Sequence, residues 1–357
     1  MNTVIQLVQH LRPGGIETMA LDLASFASSS DTTYIVSLEG EHDSALAAWP
    51  RLAAHAERLY FMHKRAGWQP ALIRRLRGLF QHLQADAVHT HHIGPLLYGG
   101  LAARLAGIRH LTHTEHDAWH LDAPRRRWLQ RAAIALTRPT LVADANSVAA
   151  AMHRHLGRRD IRVVRNGIDT ARFKPGNARL ARQWLGLPTG VPLVGCAGRL
   201  EQVKGQQVLI EALAMLPPDT HLALAGSGGN EAQLRALTRH HGIDQRVHFL
   251  GRIDDMPTFY QALDLFCLPS LNEGFPLSPL EAQACQIPAV VSDVGGARET
   301  LCPASGRLVP PGDAGRLAES LQQMLRSQRH FQPRDFVREQ CDVRQMADAY
   351  ASLRAGA

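Results

Sequence analysis

Short β-branched runs alternate with helix-period segments along almost the whole chain, and this alternation leaves few folds open. VIQLV (4–8) precedes GGIETMALDLASFA, in which Ile16, Met19, Ala20, Leu23 and Ala27 fall on one helical face. TYIVSL (33–38), a run ending in LYFM (59–62), AVHT (87–90), a segment near 109–114, TLVADA (140–145) and IRVV (161–164) continue the series of strands. Helices are expected near 70–84, 94–106 and 124–136. Apolar runs that are continuous, and separated by helices, indicate parallel strands covered on both faces.

The pattern then restarts. Asp169 to Pro192 contains Pro175-Gly176, Pro188 and Gly190 and reads as an inter-domain connection. Beyond it, VPLVGCAG (191–198), HLALAG (221–226), VHFLG (247–251), LFCLPS (265–270) and AVVSD (289–293) are expected strands. Helices near 204–215, 230–241, 256–263 and 278–286 separate them. The chain of 357 residues thus divides into two α/β, doubly wound parallel-sheet domains, 1–168 and 169–335. A last helical segment, 336–357, is free to cross back to the first domain. Ligands in such sheets bind beyond the carboxyl ends of the strands, so a ligand reaching both domains would lie in a cleft.

Composition narrows the class. With 45% hydrophobic and 20% charged residues the chain is neither disordered nor collagenous. No run approaches the ~18 apolar residues of a membrane span, and the start, MNTVIQLVQHLRPGG, lacks the basic region of a signal peptide. Five scattered cysteines without a C-x-x-C pair fit thiols in a reducing cytoplasm better than disulfides or a zinc site. Residues 1–168 hold 20 Lys+Arg against 13 Asp+Glu, whereas 169–357 hold 19 of each, so all the excess charge lies in the first half. Arg74, Arg75 and Arg77 form one basic cluster and Arg125, Arg126 and Arg127 another. They are either solvated helix faces or an attraction for lipid headgroups or a phosphorylated substrate. Nucleic acid is not expected, since no zinc-finger spacing or aromatic-basic RNA motif is present.

Three segments carry candidate chemistry. Gly14-Gly15, between a strand and a helix, would let backbone N–H groups approach a phosphate, or would simply make a tight turn. The full G-x-G-x-x-G pattern is absent, which counts against a nicotinamide enzyme. Arg199 and Lys204 lie at one strand end, where two cations neutralise a diphosphate without a metal. Glu273-Gly-Phe-Pro-Leu-Ser-Pro-Leu-Glu281 follows a later strand end. Glu281 there is either a ligand for sugar hydroxyls or half of a capping box with Ser278, while Glu273 has no comparable structural task. The histidines His89, His91, His92, His110, His113, His116 and His120 read mostly as polar loop residues, with one or two facing the cleft. His113 and His116 lack the further ligands of a metal site, so no metal and no cofactor is expected.

These residues resemble a known family, the retaining glycosyltransferases of family 4 (group 1), with two facing Rossmann-like domains of the GT-B architecture. The resemblance rests on RPGGIETMALDLA (12–24), HTEHD (113–117), VVRNGID (163–169), GRLEQVKG (198–205), GSGGNEAQL (226–234), VHFLGRIDDM (247–256) and LPSLNEGFPLSPLEAQA (268–284). DVGGARETL (293–301) and GRLVPPGD (306–313) complete it. It implies that Glu281 binds the ribose of a nucleotide-sugar, Glu273 the donor sugar, and Arg199 and Lys204 the diphosphate. Gly14 and Gly15, with Gly274, Phe275, Leu277 and Ser278, would line the phosphate and sugar. His116 would touch the donor sugar, Asn166 would mark the inter-domain edge, and Arg252 and Ile253 would meet the base. Gln286 stands where the family usually has glycine.

The implied reaction moves a sugar from a nucleoside-diphosphate donor to an acceptor hydroxyl with retention, through an oxocarbenium-like transition state. The diphosphate oxygen itself would help to deprotonate the acceptor, so no protein nucleophile is assigned. A glycan or lipid-linked acceptor of the bacterial envelope is expected, with the protein cytoplasmic or peripheral on the inner membrane face. Two rivals remain: a nucleotide-sugar epimerase on the same fold, and a silent nucleotide-sugar-binding module.

Overall fold

The computed structural model describes residues 2–327 and 332–355. It contains two parallel sheets. The first joins β1 (Asn2–Val8), β2 (Asp31–Ser37), β3 (Leu59–Phe61), β4 (Ala87–His91), β5 (His110–Glu115), β6 (Thr140–Ala143) and β7 (Ile161–Val163) in the order β3-β2-β1-β4-β5-β6-β7. The second joins β8 (Leu193–Ala197), β9 (His221–Ala225), β10 (Val247–Gly251), β11 (Leu265–Leu268), β12 (Ala289–Ser292) and β13 (Arg307–Val309) in the order β10-β9-β8-β11-β12-β13. Each order reverses once, between β1 and β4 and between β8 and β11. Those reversals open the crevices in which doubly wound sheets hold ligands.

Period-two alternation explains how the first sheet is covered on both faces. Ile5 and Leu7 pack with Val36, Leu38 and the helix Ala71–His82, whose Leu72, Leu76 and Phe80 point inward. Val8 and Ile35 face the opposite way, onto Ala20, Leu21, Trp49 and Leu52. In the second sheet Val194, Cys196, Leu222, Leu224, Leu265 and Cys267 meet Leu209 and Leu213 of one helix and Leu317 and Leu321 of another. All five cysteines are buried and outside any disulfide.

The chain divides into Met1–Gly167 with Val343–Ala357, and Ile168–Asp342. The helix Pro333–Gln340 stays with the second unit, where Arg334 donates to the carbonyls of Phe173 (2.6 Å) and Thr170 (2.7 Å). The segment expected to begin at 336 therefore departs only at Val343. The helix Val343–Ala355 packs Val343, Met346 and Tyr350 on Met19, Leu23, Val142 and Val164 of the first unit. Residues 356–357 of that segment, and 328–331 of the second domain, lie outside the described residues.

Two expectations need correction. The connection 169–192 contains a helix, Ala178–Trp184, begun by Asn177, whose side chain accepts from the Leu180 amide at 3.1 Å. Its N-cap signal was present in the sequence but was outweighed by the Pro and Gly around it. The helix expected over 94–106 is interrupted by a wider π turn at Leu96–Gly100. There Gly99 lies so close to β1 that a Cβ would stand 2.0 Å from Leu7 Cδ2.

Candidate functional site

In the second unit, the loops after β8 and β11 flank the reversal of strand order. Lys204 Nζ lies 2.7 Å from Glu273 Oε1, and the Ser270 hydroxyl donates to the same oxygen at 2.6 Å. Glu273 is buried, so its charge needs both partners. The approach is possible because Gly205 holds φ +66°, and a Cβ there would stand 2.1 Å from the Pro269 carbonyl oxygen. Arg199 is well exposed and pairs with Glu201 at 2.7 Å. The structure thus joins Lys204 to Glu273 and leaves the Arg199 guanidinium largely in water.

The turn from Glu273 to Ser278 is backed by the loop after β12. Gly295 adopts φ +50°, and a Cβ there would stand 1.8 Å from the Glu273 carbonyl oxygen. The Gly296 amide donates to the Gly274 carbonyl at 2.8 Å. Phe275 is buried below this turn, while Leu277 and Ser278 are half-buried at the start of the helix Ser278–Ala284. Arg252 and Ile253 follow β10, with Arg252 exposed and paired with Asp254 at 2.9 Å.

The capping-box alternative for Glu281 fails on geometry. Leu277, not Ser278, is the N-cap, and its side chain makes no cap bond. Ser278 is already the first helical residue, so the box is out of register. The Tyr260 hydroxyl instead donates to Glu281 Oε2 at 2.6 Å. Burial and the Glu281 carboxylate push the Tyr260 phenol well up, so it remains a donor. Just beyond this helix, Gln286 takes φ +72°, the left-handed conformation that glycine adopts without strain.

In the first unit, Gly14 is the extended N-cap of the helix Gly15–Ser25. The carboxylate of Glu17 lies over it: a Cβ on Gly14 would stand 2.3 Å from Glu17 Oε2. Burial raises the Glu17 carboxyl against the pull of His10, 3.1 Å away. A phosphate at these amides would therefore have to meet Glu17 protonated or displaced.

Of the seven histidines expected mostly in loops, His89, His91, His110 and His113 lie in strands, and His92, His116 and His120 lie outside them. His89 and His91 lie on β4 and His113 on β5, all buried, because these central strands carry polar side chains on both faces and both are covered. His89 Nε2 meets Thr114 Oγ1 at 2.7 Å and His113 Nδ1 meets Thr90 Oγ1 at 3.0 Å, while His113 Nε2 lies 3.5 Å from Glu115 Oε2. Glu115 is pulled below the usual carboxylate range, the bonds from His113 and His92 overcoming burial. His113 and His116 turn to different partners, and among the described residues no group of His, Cys, Asp or Glu is arranged to hold a metal ion.

His116 follows β5 and is buried between two partners. His91 Nε2–H donates to Gln6 Oε1 at 3.0 Å, which leaves His91 Nδ1 to accept from His116 Nε2–H at 3.1 Å. His116 Nδ1 is then an acceptor, 3.1 Å from Asp144 Oδ2. Burial and the nearby His92 hold His116 down to about 3, and burial raises Asp144 well above the ordinary carboxyl range. His116 is thus held neutral between His91 and Asp144. Asn166 Nδ2 donates to the same Asp144 oxygen at 3.1 Å. Both ring nitrogens of His116 are engaged, so contact with a sugar requires one bond to be exchanged.

Asp144, Ser270 and Tyr260 escaped the sequence reading, as did the strain at His92. Asp144 and Ser270 each follow an apolar strand at its carboxyl end, a position that could have drawn notice. His92 has φ +69° just past β4 and is half-exposed. Burial disfavours its charge, but bonding to Glu115 and the charges of Glu115, Asp117 and Glu17 raise its pKa.

A model of the glycosyltransferase family 4 domain matches residues 13–172, and one of the glycosyl transferases group 1 domain matches residues 178–340. The chain belongs to this family. A GDP-mannose-dependent monoacylated alpha-(1-6)-phosphatidylinositol monomannoside mannosyltransferase of Corynebacterium glutamicum is 36% identical over 175 residues, 45% of each chain. The lipopolysaccharide core biosynthesis mannosyltransferase LpsB of Rhizobium meliloti is 38% identical over 146 residues, 38% of this chain and 42% of that one. The match thus spans less than half the length of these curated relatives. The structure of Anabaena Alr3699/HepE in complex with UDP has a TM-score of 0.85 at 24% identity over 100% of both chains. That likeness shows the fold of the group 1 enzymes, the GT-B class of paired Rossmann-like domains.

Proposed function

We propose that this group 1 family member is a retaining glycosyltransferase that moves a sugar from a nucleoside-diphosphate donor to an acceptor hydroxyl. The observation that carries the reading is the Lys204–Glu273–Ser270 arrangement beside the strand-order reversal of the second sheet. Lys204 and Arg199 supply positive charge where it builds on the departing diphosphate, the electrostatic route to acceleration. Glu273 accepts hydroxyls of the sugar, and Glu281, oriented by Tyr260, accepts those of the ribose. The backbone at Gly274, Phe275, Leu277 and Ser278 shapes the turn around the donor, and Arg252 and Ile253 meet the base. In the first unit, His116 trades its bond to His91 for a sugar hydroxyl. Gly14, Gly15 and Asn166 take their places beside it once Glu17 has yielded.

Relatives named for mannosyl transfer in lipopolysaccharide core and phosphatidylinositol mannoside synthesis support an envelope role and a lipid-linked or glycan acceptor. The positive excess of the first half supports work at the cytoplasmic face of an anionic membrane. Among the described residues no helix is long and apolar enough to cross a membrane. The two cations take the place of a divalent metal in this reading.

The deciding experiment screens the purified protein against nucleotide-sugars by thermal shift, then follows release of the nucleoside diphosphate with and without acceptor extract. One donor should stabilise the protein and be consumed, and chelation should leave most of that rate. Stabilisation without consumption would assign a binding module. Interconversion of the free donor sugar would assign an epimerase. Complete loss in chelator, restored by magnesium or manganese, would overturn the metal-free reading.

A further inference from the structure

The two basic clusters of the first unit differ in what accompanies them. On the helix Ala71–His82, Arg74, Arg75 and Arg77 are exposed while the apolar Leu72, Leu76 and Phe80 are all buried. That outer face is simply solvated. The helix Pro124–Thr137 is apolar on two sides. Its inner face buries Ala133 and Ile134 with Gln130 and Thr137. Its outer face leaves Trp128 70%, Leu136 69% and Leu129 39% exposed.

At 100° per residue Trp128, Ala132 and Leu136 form one outward stripe. Arg125 lies within it, and Arg126 and Arg131 flank it. The helix contains no Asp or Glu. Asp122, just before it, is occupied by His155 at 3.2 Å. Among the described residues, no protein partner engages the Arg125 or Arg126 side chain. An exposed indole, two leucines and unpaired arginines on one surface match the zone where lipid headgroups meet acyl chains. A second copy of this helix would oppose arginine to arginine, so self-association has the wrong charge pattern.

We propose that the outer face of the helix Pro124–Thr137 is an interfacial membrane-binding surface. Trp128, Leu129 and Leu136 enter the headgroup boundary of an anionic bilayer, and Arg125 and Arg126 meet its phosphates, while Arg131 donates to the His155 carbonyl at 2.6 Å. This deepens the membrane-side reading above and rests on it for its purpose, but its test uses neither donor nor acceptor.

The full chain is sedimented with phosphatidylcholine vesicles with and without phosphatidylglycerol, at low and high salt. Binding to the anionic vesicles, weakened by salt, is expected. W128A/L136A should lower the partition at least about tenfold at an unchanged melting temperature. R125Q/R126Q should lower it about 25-fold, since each arginine near an anionic surface is worth about fivefold. R74Q/R75Q/R77Q removes more charge and should lower it less. No binding at low salt, or binding that W128A/L136A leaves unchanged, overturns the proposal. So does equal loss in the two arginine sets, which would mean diffuse attraction. A dimer in light scattering that W128A disperses would make a second copy the occupant instead. Donor consumption without vesicles, measured on W128A/L136A, should match the wild type, so the surface and the transferase reading fail separately.

Discussion

The ammonium of Lys204 and the hydroxyl of Ser270 converge on one oxygen of Glu273, at 2.7 and 2.6 Å. The carboxylate is thereby held by two donors, and under the function proposed above a lysine that turns to a diphosphate must be replaced at Glu273 by a sugar hydroxyl. On that reading donor binding and the release of this pair are one event.

This exchange separates two kinds of loss. Lys204→Ala should reduce turnover by ~10²–10³ and leave a buried carboxylate short of a partner, a cost of about 2 kcal/mol. Adding Glu273→Gln should restore most of the stability and none of the rate. Arg199→Ala, at an exposed site, should shift stability by less than about 0.5 kcal/mol while turnover still falls steeply. Urea unfolding and donor consumption on the same preparations decide it, and near-native rates in both lysine and arginine variants would remove the diphosphate assignment.

Tyr260 and Glu281 make a narrower test. Tyr260→Phe deletes the 2.6 Å bond that helps to orient the carboxylate proposed to hold ribose. Donor KM should rise about tenfold with kcat nearly unchanged, the mark of lost uniform binding. An unchanged KM would mean that Glu281 is only part of the packing.

His120 sets an alkaline limit to stability. Burial works against its charged form, but Asp117 at 3.2 Å, Glu115 and Gln130 lift its pKa to about 9. A folded value above the unfolded one, about 6.5, means that the contribution is complete below pH ~6.5 and disappears as pH rises through about 9. The urea midpoint should decline across that interval, and His120→Gln should flatten the decline. Parallel curves for the two proteins would assign it to other groups.

Gln286 offers a gain. A left-handed backbone costs a side-chain-bearing residue ~1–2 kcal/mol, and glycine returns ~0.5–1 kcal/mol of that as chain entropy. Gln286→Gly should therefore stabilise the second unit by roughly 0.5–1 kcal/mol, read as a higher melting temperature. A lower one would show that the glutamine side chain contributes more than its backbone loses.

The parallel sheets were legible because their strands are unbroken apolar runs, and Arg199, Lys204 and Glu273 were legible because charge at a strand end is conspicuous. What escaped depends on distant segments meeting. Tyr260 and Glu281 are 21 residues apart and share one hydrogen bond. Asp144 acts on His116 from the next strand, and nothing local announces that its carboxyl is buried. The histidines were misplaced for a related reason: His89 and His91 among threonines look like a polar turn until a covering helix brings Tyr350 within 4.7 Å of His89.

The glycines under the second site have a consequence for how such a protein diversifies. At Gly205, Gly226 and Gly295 one turn leans on another with main chain against main chain, where an added Cβ would stand within 2.1 Å of a carbonyl oxygen. Load passes through atoms common to every amino acid. Exposed side chains on the same turns, such as Arg199, stand outside these main-chain contacts and can be exchanged while the contacts keep their shape. In a chain built this way substitution is least tolerated where the frame touches itself.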